Sequence, residues 1–235
     1  MPKSLKKLTI NQGTCGYRYN RDSFLLANFY DGPHEGHIAD FCSGTGVISI
    51  LLNRLHPRLI VTAIEIDPVS CKTSHKNALA SGISKYNVVT ADIKSVANLI
   101  KANSFDAIVA NPPYRRAGSG RVNPDPRRAI ARHEIKMTFT DLIKAATVLL
   151  KRNASLSFIM INERKKECIR ILDEYGFSIA RTQEIKSFGK RPPILFMVKA
   201  TSGKIHETII DKPLILKNSE GNDSRVFKKL MEKHV

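Results

Sequence analysis

Asp40-Phe41-Cys42-Ser43-Gly44-Thr45-Gly46 is the stretch on which the fold turns. It lies where an apolar run, Ile38 to Cys42, gives way to a helical pattern over Gly46 to Leu55. Glycines at such a strand-to-helix turn let backbone N–H groups approach a ligand with no Cβ in the way, at the carboxyl edge of a sheet. A dinucleotide fingerprint wants a third glycine at position 49, where this chain has Ser49. Taken alone, the stretch reads equally well as a tight βα turn with no ligand role.

Outward from this turn, short apolar runs alternate with helical stretches. Ile60 to Ile66 reads as a strand and Pro68 to Ala80 as a helix. Asn87 to Ala91 is a third strand, Ile93 to Ala102 a third helix and Phe105 to Ala110 a fourth strand. After a polar loop, Phe139 to Leu150 reads as a helix, Leu156 to Ile161 as a strand and Glu163 to Tyr175 as a helix. Such alternation predicts an α/β fold, a mostly parallel sheet with helices on both faces. Beyond Gly176 the pattern changes. Phe177 to Ile185 and Ile194 to Ala200 are strand-like, and Lys186 to Pro193 between them has no room for a crossover helix, so they pair antiparallel. The tail adds one short strand, Pro213 to Leu216, and a small basic helix near Phe227 to Lys233. The expected organisation is one domain over 1–235, with an N-terminal segment 1–37, a core 38–200 and a C-terminal strand and helix in 201–235.

Composition narrows the function classes. The chain has 235 residues, 42% hydrophobic and 25% charged, an ordinary balance for a globular protein with a real core. No apolar run approaches the roughly 20 residues of a membrane span, and the basic N-terminus is followed by too short and polar a segment for a signal peptide. Four scattered cysteines without a C-x-x-C pair fit reduced thiols in the cytoplasm better than a disulfide framework or a metal site. His34 and His37, close together in a Gly/Pro-bearing stretch, read as a solvated turn. The 38 Lys and Arg outnumber the 21 Asp and Glu, a formal net charge of +17 that points to a polyanionic partner, nucleic acid before membrane. Nothing in the pattern specifies an oligomeric state.

Two carboxylates strengthen the ligand reading of the glycine turn. Glu65 lies near the end of the second strand, 19 residues beyond Gly46, where an acid accepts ribose hydroxyls. Asp67-Pro68 reads better as N-cap and first residue of the next helix. Asp92 follows the third strand, placed for an adenine amino group and equally for a helix cap. Together these positions resemble the nucleoside-binding edge of the S-adenosylmethionine-dependent methyltransferases. The antiparallel final hairpin is similar to the seventh strand of that family, which implies a Rossmann-like class I fold with seven strands.

Asn111-Pro112-Pro113-Tyr114, directly after the fourth strand, resembles the N-P-P-Y motif of methyltransferases acting on planar nitrogen. Two prolines elsewhere commonly mean a stiff turn. The resemblance implies a catalytic set of Asn111, Pro112, Pro113 and Tyr114. The delocalised lone pair of an exocyclic nitrogen makes it a poor nucleophile. Acceptors at the Asn111 side chain and the Pro112 carbonyl would draw its N–H bonds toward tetrahedral geometry, with the prolines fixing the backbone. The Tyr114 ring offers a face for base stacking, typically about 1–3 kcal/mol.

Two further stretches narrow the family. Gln12 to Leu26, with Gly16-Tyr17-Arg18 and Asp22-Ser23-Phe24-Leu25-Leu26, resembles the opening of the bacterial tRNA1(Val) adenine-37 N6-methyltransferase family, where a G-Y-R…D-x-x-L-L stretch closes over the cofactor. Asp22 is also a natural helix N-cap. Ala131-Arg132-His133-Glu134 is similar to an A-R-H-E stretch of the same family. The resemblance covers Gln12 to about Ala200. It implies S-adenosylmethionine bound by Tyr17, Arg18, Asp40, Gly44, Gly46, Glu65, Ile66, Asp92, Ile93 and Asn111, and a tRNA substrate, with no metal and no membrane.

From Arg115 to Lys136 seven basic residues face only Asp125 and Glu134. Beside the proposed transfer site, Arg115, Arg116, Arg121, Arg127, Arg128 and Arg132 are expected to contact phosphates. Two other readings stay open: a guanine-N2 methyltransferase acting on ribosomal RNA, and a basic RNA-binding module with a vestigial cofactor site.

Overall fold

A computed structural model describes residues 10–11, 21–114, 137–203, 205 and 207–232. Tyr17, Arg18 and the whole segment 115–136, including its arginines, lie outside the described residues.

The chain runs α1 (Arg21–Phe29), β1 (Glu35–Phe41), α2 (Val47–Leu55), β2 (Arg58–Glu65), α3 (Pro68–Ala80), β3 (Tyr86–Thr90) and β4 (Phe105–Ala110). It continues through α4 (Phe139–Leu149), β5 (Leu150–Ile161), α5 (Lys165–Glu174), β6 (Ser178–Lys186), β7 (Pro193–Thr201), β8 (Ile209–Ile210), β9 (Leu214–Ile215) and α6 (Arg225–Glu232). The sheet order is β3-β2-β1-β4-β5-β7-β6-β8, with β9 also on β6. Strands β1 to β5 are parallel, and β7 inserts antiparallel between β5 and β6. The Rossmann-like α/β expectation and its antiparallel hairpin both hold.

Period-2 alternation along the strands divides two cores. On β1 and β4, Ile38, Ala107 and Val109 face α1 and α2, whereas Ala39, Phe41, Ile108 and Ala110 face α4 and α5. Phe139 of α4, Phe158 of β5 and Phe196 of β7 meet tilted and edge-to-face across the second core, with ring centroids 5.0 and 6.0 Å apart. Asp67 caps α3 by accepting from Ser70 N, with Pro68 in the first turn, as the sequence predicts.

Four expectations need correction. Among the described residues the sheet has nine strands rather than seven, because both β8 and β9 add parallel to β6. The tail therefore supplies two short strands where one was expected. The helix expected over Ile93 to Ala102 is a single 3-10 turn, Val96–Asn98. There, Asp92 accepts from Lys94 N with its side chain and from Ser95 N with its carbonyl, a local alternative that competes with helix growth. Finally, His37 belongs to β1 rather than a solvated turn, with Nε2 2.8 Å from Thr62 Oγ1. No helix among the described residues is long and apolar enough to cross a membrane.

Candidate active site

Because β1, β2, β3, β4 and β5 run parallel, the residues that follow each of them meet at one edge of the sheet. The glycine turn after β1 is tied down by side chains. Asp40 is fully buried, and its Oδ2 accepts from Ser49 N at 3.1 Å and Ser49 Oγ at 2.6 Å. Position 49 thus carries a serine because its hydroxyl serves Asp40. Burial pushes the Asp40 carboxyl up to about 7, against the pull of the two Ser49 hydrogen bonds. Gly46 sits at φ 81°, and a Cβ there would run into the Ser74 and Tyr86 hydroxyls. Asn77 fastens the turn from α3: Nδ2 donates to Thr45 O at 2.9 Å and to Asn11 O at 2.8 Å, while Oδ1 accepts from Asn11 N. The turn is strained as well as tied, for Cys42 adopts φ 58° without being glycine.

Glu65, the last residue of β2, reaches the same turn. Its Oε2 accepts from Gly44 N at 2.9 Å, and its Oε1 from Ile66 N and Asp67 N at 2.9 and 3.0 Å. Burial still raises its carboxyl above the ordinary range, against those three amide donors. Asp92 stands two residues past β3, half-buried, and Ile93 beside it is buried.

These residues fit a nucleoside with a polar tail. Asp40 Oδ1 and Ser43 Oγ are buried with no hydrogen-bond partner among the described residues, polar atoms that a bound ligand would satisfy. At Gly44, φ 55°, the space a Cβ would take is open. Glu65 Oε2, with one amide donor, keeps acceptor capacity for a hydroxyl, whereas Oε1 already accepts from two.

The other half of the edge is the N-P-P-Y segment. Pro112 is buried, while Asn111, Pro113 and Tyr114 are half-buried. The Tyr114 ring packs against both cores. Its hydroxyl lies 2.8 Å from Asn111 Oδ1 and 2.7 Å from Oδ2 of Asp22, which is 8% exposed in the first turn of α1. Arg164, just after β5 and 6% exposed, donates from one guanidinium nitrogen to the Tyr114 carbonyl at 3.3 Å. Its other nitrogens form a fork on Glu167, at 2.9 and 2.8 Å. Arg164, Glu167 and Asn77 carry no motif signal in the sequence; Asp22, read there as part of the D-x-x-L-L stretch and as a helix N-cap, is instead the second residue of α1.

The structure thus brings Asp40, Gly44, Gly46, Glu65, Ile66, Asp92, Ile93 and Asn111 to Tyr114 to one edge. Residues 18–184 match the family model for the methyltransferase small domain. The chain belongs to that methyltransferase family. The methyltransferase is 30% identical to a tRNA1(Val) (adenine(37)-N6)-methyltransferase of Porphyromonas gingivalis, over 97% of this chain and 92% of that one. It is 28% identical to the Haemophilus influenzae enzyme of the same name, over 97% and 95% of the two chains. Among solved structures, a SAM-dependent methyltransferase from Aquifex aeolicus superposes with a TM-score of 0.57, at 15% identity over 78% of this chain and 93% of that one. A predicted O-methyltransferase from Agrobacterium tumefaciens gives 0.70, at 19% identity over 91% and 97%. These two likenesses bear on the fold alone. The cofactor of the methyltransferase is S-adenosylmethionine.

Proposed function

We propose that this methyltransferase methylates N6 of an adenine in tRNA, adenine-37 of the anticodon loop. The observation that carries the reading is Asn111-Pro112-Pro113-Tyr114 at the end of β4, on the edge shared with Glu65 and the Gly44 turn. The relatives named above support the substrate. The reading treats residues 1–235 as one domain working in the cytoplasm beside its tRNA.

Glu65 would hold the ribose, Asp92 the adenine amino group, and the glycine turn the amino-acid tail, with Tyr17, Arg18, Ile66 and Ile93 as the further cofactor-binding residues. When bound, S-adenosylmethionine supplies an electrophilic methyl on a sulfonium. Asn111 Oδ1 and the Pro112 carbonyl accept the two N–H bonds of the target amine and aim its lone pair at that methyl. Transfer of that methyl would leave a neutral thioether, and the target nitrogen would release a proton to solvent. No strong base is required, and alignment supplies much of the rate, on the order of 7–11 kcal/mol in well-oriented reactions. Tyr114 stacks on the base, and the arginines of 115–136 grip the phosphates around a loop already partly unstacked.

The test is mass spectrometry of nucleosides from RNA treated with enzyme and labelled cofactor. Label in N6-methyladenosine of tRNA is expected. Asn111→Ala is expected to bind cofactor and tRNA normally and lose at least about 100-fold in transfer. Label in N2-methylguanosine of ribosomal RNA, or RNA binding with no cofactor binding, would overturn the substrate; full activity of Asn111→Ala would overturn the mechanism.

A further inference from the structure

Tyr114 carries one phenolic hydrogen and faces two oxygens. Its hydroxyl lies 2.7 Å from Asp22 Oδ2 and 2.8 Å from Asn111 Oδ1. One hydrogen serves one of them well, and a carboxylate is the stronger acceptor. With the hydrogen on the Asp22 side, the Tyr114 oxygen and Asn111 Oδ1 confront each other with lone pairs only. A half-turn of the amide keeps its shape and brings Nδ2 against the phenol oxygen, where it donates. The chain of bonds then has one direction: Asn111 Nδ2 to Tyr114 Oη, and Tyr114 Oη to Asp22. Oδ1 moves to the other end of the amide, which no described residue engages.

We propose that Asp22 is a positioning residue for methyl transfer, holding the Tyr114 hydrogen so that the Asn111 amide turns its oxygen toward the target nitrogen. The inference rests on the reading of Asn111 as acceptor given above. With no acceptor at position 22, the phenol donates to Asn111 instead. Nδ2 then faces the substrate amine, a donor against a donor. That error slows transfer without weakening substrate binding.

The geometry around Asp22 holds it in place. Arg21, its neighbour, pairs with Asp223 at 3.2 Å and lies 5.0 Å above the Phe227 ring, so α6 anchors the first turn of α1. From the opposite side, Arg164 holds the Tyr114 carbonyl. Tyr114 is thereby held at its backbone and at its hydroxyl, which sits among partly buried groups where a hydrogen bond is stronger than in water.

The experiment is a double-mutant cycle on the full chain with S-adenosylmethionine and unmodified bulk tRNA, reading kcat, KM for tRNA and thermal melting. Tyr114→Phe keeps the ring and is expected to lower kcat by about tenfold with KM unchanged. Asp22→Ala is expected to lower kcat equally in the parent protein and by less than about twofold in the Tyr114→Phe background. Asp22→Asn, whose carbonyl can still take the hydrogen, falls between. Additive losses, or full kcat in Tyr114→Phe, would overturn the proposal. Should Asp22→Ala fail to fold, Tyr114→Phe decides alone. An inactive Asn111→Ala beside a fully active Tyr114→Phe rejects this relay and leaves the acceptor reading standing; an active Asn111→Ala rejects that reading itself.

Discussion

The two halves of the active edge are built differently. On the cofactor side most contacts close over short stretches of chain: Asp40 reaches Ser49 across 9 residues and Gly44 reaches Glu65 across 21, with Asn77 to Asn11, across 66, the exception. On the transfer side the contacts that anchor Tyr114 and α1 from other elements are long: 50 residues from Tyr114 to Arg164, 92 from Asp22 to Tyr114, and 202 from Arg21 to Asp223. A short stretch returns to itself through one βα turn whose residues are dictated locally. A long one depends on helices α1 and α6 docking correctly, so the second half is the more exposed to damage at a distance. Closing the longer loops costs only slowly more entropy, so packing decides whether they close.

The largest effect is expected from breaking that remote support. Phe227 on α6 is 1% exposed and lies beneath Arg21. Phe227→Ala removes a buried ring, at a cost of about 3–5 kcal/mol in urea unfolding. Because α6 reaches Asp22 through α1, the variant is also expected to lose kcat while its affinity for S-adenosylmethionine holds. Loss of cofactor affinity with kcat intact would reverse the comparison.

The same contrast explains what the sequence makes legible. The βα alternation, the antiparallel hairpin, the Asp67 cap and the Asn111 to Tyr114 segment are all local patterns, and the structure contains each of them. The helix expected after Asp92 failed for an equally local reason: the side chain of Asp92 bonds Lys94 N and diverts the backbone. Strand β8 was missed because two isoleucines, Ile209 and Ile210, carry no period. The contacts of Arg164 and Asp22 with Tyr114 were beyond reach for another reason. Nothing along the chain says that a residue after β5 and another in α1 will meet the Tyr114 carbonyl and hydroxyl.

A second prediction turns to the cofactor side and to pH. Asp40 has a folded value of about 7 against an ordinary 3.8. Between those values the folded chain keeps a proton that the unfolded chain has released. Stability from this group is therefore highest at the acid end and falls as pH rises through the window, by at most about 1.4 kcal/mol per pH unit. Asp40→Asn removes the ionisation and is expected to flatten the melting profile between pH 4 and 7 relative to the parent. Parallel profiles would show that Asp40 stays charged when buried. Since Glu65 pushes the Asp40 carboxyl further up, the slope also reports how closely the cofactor-side acids are coupled.

The smallest effect should separate the two halves most cleanly. Glu65 accepts from three backbone N–H groups and has acceptor capacity left at Oε2 for a ribose hydroxyl. Glu65→Gln keeps the shape but turns one acceptor into a donor, which meets Gly44 N–H or the ribose with the wrong polarity. Hydrogen bonds to a charged group are worth about 1.5–3 kcal/mol, so the Kd for S-adenosylmethionine is expected to rise about 10- to 100-fold by calorimetry. At saturating cofactor kcat should stay near the parent value, the opposite split from Tyr114→Phe, which spares binding and slows transfer. An unchanged Kd would remove Glu65 from the ribose. Equal losses in Kd and kcat would show that the turn after β1 and the N-P-P-Y segment act as one unit, in which case the difference in wiring has no functional counterpart.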